Sequence, residues 1–241
     1  MVQNGPAILN TILNISSFSL IFPLVFFLLF KKNNKEKTVR VIFFYTLYCI
    51  LNEALGYYLQ GEHLINPFIF FLALFTVLEF SFFCLFFYYA ISIVVIKKIV
   101  LFTWLGFFIF SCIDFFYINK MGALGSVSIG IESILIIIMC VYYLYVQIRG
   151  SNNLFVYSTS NFWIIISFLI YLSGTFFLYI MADKMFYNET YRVQYNIINS
   201  AFNIIKNILL SVAMLMKPVS ANNHDKRYRD LDDSFSYQLK N

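Results

Sequence analysis

Charge is scarce in this chain. Asp, Glu, Lys and Arg make up only 12% of its 241 residues, against about 25% in an ordinary soluble domain. With 61% hydrophobic residues, a soluble core is excluded as the place for all this apolar surface, and lipid is the expected solvent. Histidine is scarcer still. His63 and His224 both lie outside the long apolar runs, so a haem or zinc site inside a bundle lacks its usual nitrogen ligands. Cys49, Cys84, Cys112 and Cys140 all fall within apolar runs and read as small buried hydrophobes, not as disulfides or metal ligands. The prolines are Pro6, Pro23, Pro67 and Pro218. That is too few in the helices for a sugar carrier of the three-plus-one-plus-three type. Tryptophan is limited to Trp104 and Trp163.

What is present is a series of long apolar stretches. Seven can cross a bilayer of about 30 Å, which takes about 20 residues each: 8–30, 41–60, 67–92, 99–117, 124–147, 162–181 and 194–216. The first has no small-residue cleavage site leading into a soluble domain and reads as a true span. The expected fold is therefore an all-α, seven-transmembrane-helix bundle over 1–216, followed by a polar cytoplasmic tail over 217–241 expected to be disordered. No soluble output domain is expected within the chain.

The net charge of +5 matters through its distribution. Lys31, Lys32, Lys35, Lys37 and Arg40 crowd the first connection. Lys97 and Lys98 are assigned to the third connection, Arg149 to the fifth, and Lys217, Lys226, Arg227, Arg229 and Lys240 to the tail. The other side carries Lys120, Lys184 and Arg192. The positive-inside rule puts the N-terminus outside and the C-terminus in the cytoplasm, as an odd number of spans requires.

The few polar groups within the spans form a pattern. Arg192, Asn196, Asn199, Asn203 and Lys206 recur at steps of three or four, with Ser200, Asn207 and Ser211 extending the same side. Such steps define one helical face. An ammonium near the bilayer centre costs about 2.5–3.5 kcal/mol even on the lenient insertion scale, so Lys206 needs a partner, water or a function. Glu53, Glu79 and Glu132 lie inside other spans, and Asn10, Asn14 and Ser17 form a short stripe in the first, with Pro23 expected to kink the helix beyond it. Tyr171 and Ser167 add polar groups in the sixth span, where Gly174 permits close helix approach. At about 1.5 Å rise per residue, Glu79 and Lys206 both lie roughly 18 Å from the outer ends of their helices. Asp114 is assigned to the interface at the outer end of span four.

Two readings of this interior stay open. In one, Glu79 and Lys206 form a structural ion pair and the asparagines join helices by hydrogen bonds. In the other, Glu53, Glu79, Glu132, Lys206, Asn196, Asn199, Asn203 and Tyr171 line an outward-facing polar cavity for a small polar or cationic ligand or for protons. Lys206 can neutralise only one of these glutamates, which favours the second.

Named seven-span chemistries are not expected. A retinal cofactor on Lys206 with Glu79 as counter-ion lacks an aromatic cage built on tryptophan and further charged residues beside Glu79. The receptors coupled to G proteins carry an acid–arginine pair at the end of span three, where this chain reads Phe87-Tyr88-Tyr89-Ala90-Ile91. No hydrolase motif appears in the spans, so enzymatic activity is not expected.

The run Asn161-Phe162-Trp163, then Tyr171-Leu172-Ser173-Gly174 and Asn203-Ile204-Ile205-Lys206-Asn207-Ile208-Leu209, resembles the last two spans of small seven-span proteins of Bacteroidetes bacteria. The resemblance implies a bacterial inner-membrane protein of sensory type, working beside a partner such as a sensor kinase. The leading expectation is a receptor-like sensory module in the lipid bilayer. A small proton-coupled transporter and a structural subunit of a membrane complex are the alternatives. A nucleic-acid partner is not expected.

Overall fold

Peptide groups in hydrocarbon have no water to bond, so a spanning segment must satisfy its own backbone, and the helix is the open-ended way to do so. The structure, a computed structural model, describes residues 5–30, 36–61, 65–118, 126–149, 156–185 and 189–216. Among these it is all-helical: α1 (Gly5–Ser19), α2 (Ile21–Leu29), α3 (Lys37–Gly61), α4 (Ile65–Ala90), α5 (Val94–Ile113), α6 (Ser126–Arg149), α7 (Ser160–Met185) and α8 (Glu189–Leu215), with a π-helical turn at Asp114–Ile118 and a 3₁₀ turn at Val156–Ser158. Among the described residues, seven helical segments are long and apolar enough to cross a membrane, α1 and α2 together forming the first. The expected tail over 217–241 and the basic residues 31–35 lie outside the described residues.

The first span breaks where Pro23 requires it. The proline ring has no N–H and crowds the carbonyl four residues earlier, which belongs to Ser19. The chain answers with a tight turn in which Leu20 N–H donates to the Ser17 carbonyl at 3.3 Å, and Ser19 Oγ bonds back to the Ser16 carbonyl at 2.6 Å.

Two helices begin earlier than the charge pattern predicts. Lys37 and Lys97 were expected in connections, yet each stands in the first turn of its helix. Their ammonium groups lie 5.4 Å from the centre of the Tyr89 ring and 5.0 Å from that of Tyr88. A lysine can cover apolar surface with its stem while its head rests on an aromatic face at the interface. The connection between α4 and α5 thereby shrinks to Ile91–Ile93, with both isoleucines buried.

The helices close into a ring. α8 packs between α7 and the broken first span, α7 reaches on to α6, and α6 meets α4 and α5. α4 also packs on α3 and α5, while α3 touches α2 and, across the bundle, α7. α4 is the most enclosed apolar element. Its buried residues Phe80, Phe83, Phe86 and Phe87 face a core that includes Ile136 of α6 and Ile164, Ile165 and Phe168 of α7. The bundle's outside is apolar as well: Phe102 is 74% exposed and Leu29 70% exposed, as lipid-facing residues should be.

Candidate functional site

On α3, Tyr45, Cys49 and Glu53 are spaced four apart and share a face. Tyr45 is 1% exposed, at the level where α4 presents Glu79 and α8 presents Lys206. The Tyr45 hydroxyl donates to Glu79 Oε1 at 2.7 Å. Lys206 Nζ donates to the same hydroxyl at 3.3 Å. Lys206 and Glu79 thus meet through a tyrosine that bridges them. The ammonium also lies 4.0 Å from the centre of the Tyr171 ring of α7 and 5.6 Å from that of Tyr45. Two ring faces and a hydroxyl surround the cation, an arrangement in which desolvation strengthens each contact.

Aromatic packing holds the bridge in register. Tyr45 meets Phe83 at 5.4 Å and Phe168 at 6.1 Å between ring centres, and Phe83 meets Phe168 edge-on at 4.5 Å. This places α3, α4 and α7 around one rigid cluster directly beside the charges.

Glu132 enters from α6. It belongs to a buried stripe of that helix, Ser128, Glu132, Ile136, Cys140, Tyr143 and Gln147, at steps of three and four. It lies close enough to Glu79 for the two carboxyls to interact electrostatically. Its Oε1 is buried with no hydrogen-bond partner, and the residue is 3% exposed. Glu53 is held differently: it is half-buried and accepts a short hydrogen bond from Ser17 of α1.

Several expected contributors are arranged otherwise. Asn196, Asn199 and Asn203 are half-buried, while Ser200, Lys206, Asn207 and Ser211 form the buried side of α8. Arg192 is exposed. Asn10 and Asn14 are also exposed, so of the expected stripe in the first span only Ser17 turns toward a neighbouring helix. Ser167, a polar group noted in the sixth span, bonds its own helix at the Ile164 carbonyl, and the hydroxyls of Thr76 and Ser133 do the same at the carbonyls of Leu72 and Ile129. Such back-bonding satisfies a hydroxyl in a dry interior without any second element.

Three features went unread in the sequence. Tyr45 was not singled out, although its spacing of four from Cys49 and eight from Glu53 puts it on the polar side of α3. Asn207 reaches from α8 to the break in the first span, donating to Ser19 Oγ at 2.7 Å. Asp114, expected at the interface, is 2% exposed and accepts from Ser128 Oγ at 2.5 Å. No family model matches this chain, and neither a curated protein nor a solved structure does.

Proposed function

We propose that this integral membrane protein is a receptor-like sensory module whose bundle core recognises a small cation, and that the occupied state is passed to a separate membrane or cytoplasmic partner. One observation carries the reading. Glu132 Oε1 is buried and unpartnered beside Glu79, while Lys206 is already engaged by Tyr45 and Tyr171. A dry carboxyl with no donor must either hold a proton or meet a positive group, and we take the second. A protonated amine or an organic cation matches that demand and would also find the aromatic rings of the core.

A bound cation would alter the balance between Glu132, Glu79 and Lys206, which stand on α6, α4 and α8. Differential contacts of this kind are what shift a helical bundle between states. The proposed setting is a bacterial inner membrane with the N-terminus outside, and a sensor kinase is the class of partner implied by the resemblance in the last two spans.

The test is thermal unfolding of the protein in nanodiscs against a panel of primary, tertiary and quaternary amines. A saturable rise in the unfolding midpoint that disappears in Glu132→Gln supports the proposal. A panel with no effect, or one equally effective on Glu132→Gln, removes it. A second reading rests on the continuous path Lys206–Tyr45–Glu79: a proton-coupled carrier would use such a chain to move charge. Proteoliposome uptake driven by a pH gradient separates the two, since a receptor binds without flux.

A further inference from the structure

Away from the central network, the α5 end holds another polar assembly. The helix leaves regular geometry at Asp114, whose backbone N–H bonds the carbonyls of Phe110 and Ser111 and which opens the π-helical turn to Ile118. Single π turns within helices are frequent at functional sites, and this one extends the end of α5. Here the irregular turn carries a carboxylate into the protein. Asp114 is 2% exposed, Ser111 and Ser128 each 7%. Ser111 precedes Asp114 by three residues, on the same face of the helix. Ser128 comes from the first turn of α6 and donates to Asp114 Oδ2 at 2.5 Å. That leaves two buried oxygens without partners, Asp114 Oδ1 and Ser111 Oγ.

We propose that Asp114, Ser111 and Ser128 form a binding site for one alkali cation of the sodium class, held between α5 and α6. The donor chemistry selects the ligand. A carboxylate and hydroxyls are hard oxygen donors, which suit alkali and alkaline-earth ions and not the thiophilic metals. Among the described residues, no three His, Cys, Asp or Glu side chains form a metal-binding group, so the charge that a calcium or zinc site ordinarily assembles is not gathered here. One carboxylate balances one unit of positive charge. Asp114 Oδ1 and Ser111 Oγ supply donors that have no other use, and Ser128 joins as donor to Asp114 on one side and as a neutral oxygen ligand on the other. An ion there ties the end of α5 to the start of α6.

The site adjoins the central network without sharing its residues: Ser128 precedes Glu132 by one turn of α6, and Asp114 reaches Ser128 from the end of α5. The proposed sensory ligand is an organic cation at Glu132, whereas this ion is structural or modulatory. The experiment uses the full chain in nanodiscs, with thermal unfolding followed in sodium, potassium and choline chloride at one ionic strength, and with direct binding of radioactive sodium measured by scintillation proximity. Sodium is expected to bind saturably and to raise the unfolding midpoint above that in choline. Asp114→Asn should lose both effects, and Ser111→Ala should weaken sodium about tenfold. Absence of saturable sodium binding by the unaltered protein overturns the proposal. So does full retention of binding in Asp114→Asn. If that variant fails to fold, unchanged sodium affinity in Ser111→Ala overturns it instead. Loss of binding in Glu79→Gln together with its persistence in Asp114→Asn would assign the ion to the central network, which also overturns it.

Discussion

A hydroxyl placed between an ammonium and a carboxylate transmits their interaction only while it is there, and this makes Tyr45 the residue on which the central network turns. Its hydroxyl contacts both Glu79 and Lys206. In a double-mutant cycle, Glu79→Gln and Lys206→Met are therefore expected to couple by about 0.5–2 kcal/mol, the range for polar contacts between membrane helices. Repeated in a Tyr45→Phe background, the coupling should fall without vanishing, because the two charges also attract directly across the bundle. An undiminished coupling would mean that the tyrosine carries none of it. Tyr171 allows a cleaner separation of ring and hydroxyl. Its ring face, 4.0 Å from the ammonium, remains in Tyr171→Phe and disappears in Tyr171→Leu. The leucine variant should lose about 0.5–2 kcal/mol more than the phenylalanine variant, the share of the cation–π interaction, read from reversible unfolding in mixed micelles. Lys206 stood out in the sequence because a charge in an apolar run is rare. Tyr45 did not, because in a chain with 18 tyrosines and 30 phenylalanines an aromatic residue is as readily lipid-facing filler as a hydrogen-bond donor.

Between elements, the closest fit is that of α7 on α8. A Cβ added at Gly174 would fall within the ring of Phe202, so the glycine is there to admit that ring. The sequence marked Gly174 as a point of close approach, and small residues at helix interfaces have that meaning in membranes. It did not name Phe202, since one helix's pattern carries no information about which side chain of the next will fill its groove. Gly174→Ala is expected to destabilise by about 1–3 kcal/mol, the usual range for overpacking. Adding Phe202→Leu should recover most of the loss, as judged by unfolding midpoints of the single and double variants. At Gly130, by contrast, a Cβ would meet only the Ile180 side chain at 3.2 Å. Gly130→Ala should cost much less, because the flexible isoleucine can shift.

At the scale of the molecule, charge and aromatic residues define the two ends of the bundle. Lys37 on Tyr89, Lys97 on Tyr88 and Arg149 on Tyr145 share one end. Under the positive-inside rule that end is expected to face the cytoplasm. The opposite end carries Tyr117, 77% exposed. In a cysteine-free background, Tyr117→Cys should react with a membrane-impermeant maleimide in intact cells. Lys98→Cys, also at an exposed position, should react only after permeabilisation. The reverse pattern would invert the expected topology. It would leave the contacts of the central network unchanged, because they depend on neighbouring helices and not on which side of the membrane each end occupies.

Span number and approximate span limits followed from composition and length alone. Lipid offers no hydrogen bonds to the backbone, so an apolar run of about 20 residues has the helix as its stable form. The polar side of α8 followed from spacing in part, since steps of three and four align residues whatever surrounds them: Ser200, Lys206, Asn207 and Ser211 are buried, while Asn196, Asn199 and Asn203 are half-buried and Arg192 is exposed. What only the tertiary structure decided was partnership. Whether Glu53 meets Ser17, whether Asp114 turns in to Ser128, and whether Tyr45 stands between Lys206 and Glu79 all depend on which helices are neighbours and how each is rotated about its axis. Hydropathy sets depth and reveals a face. It is nearly blind to rotation and neighbour choice, because lipid tails and apolar side chains offer a helix much the same environment, and the choice between them rests on packing and on a few hydrogen bonds made across the whole bundle.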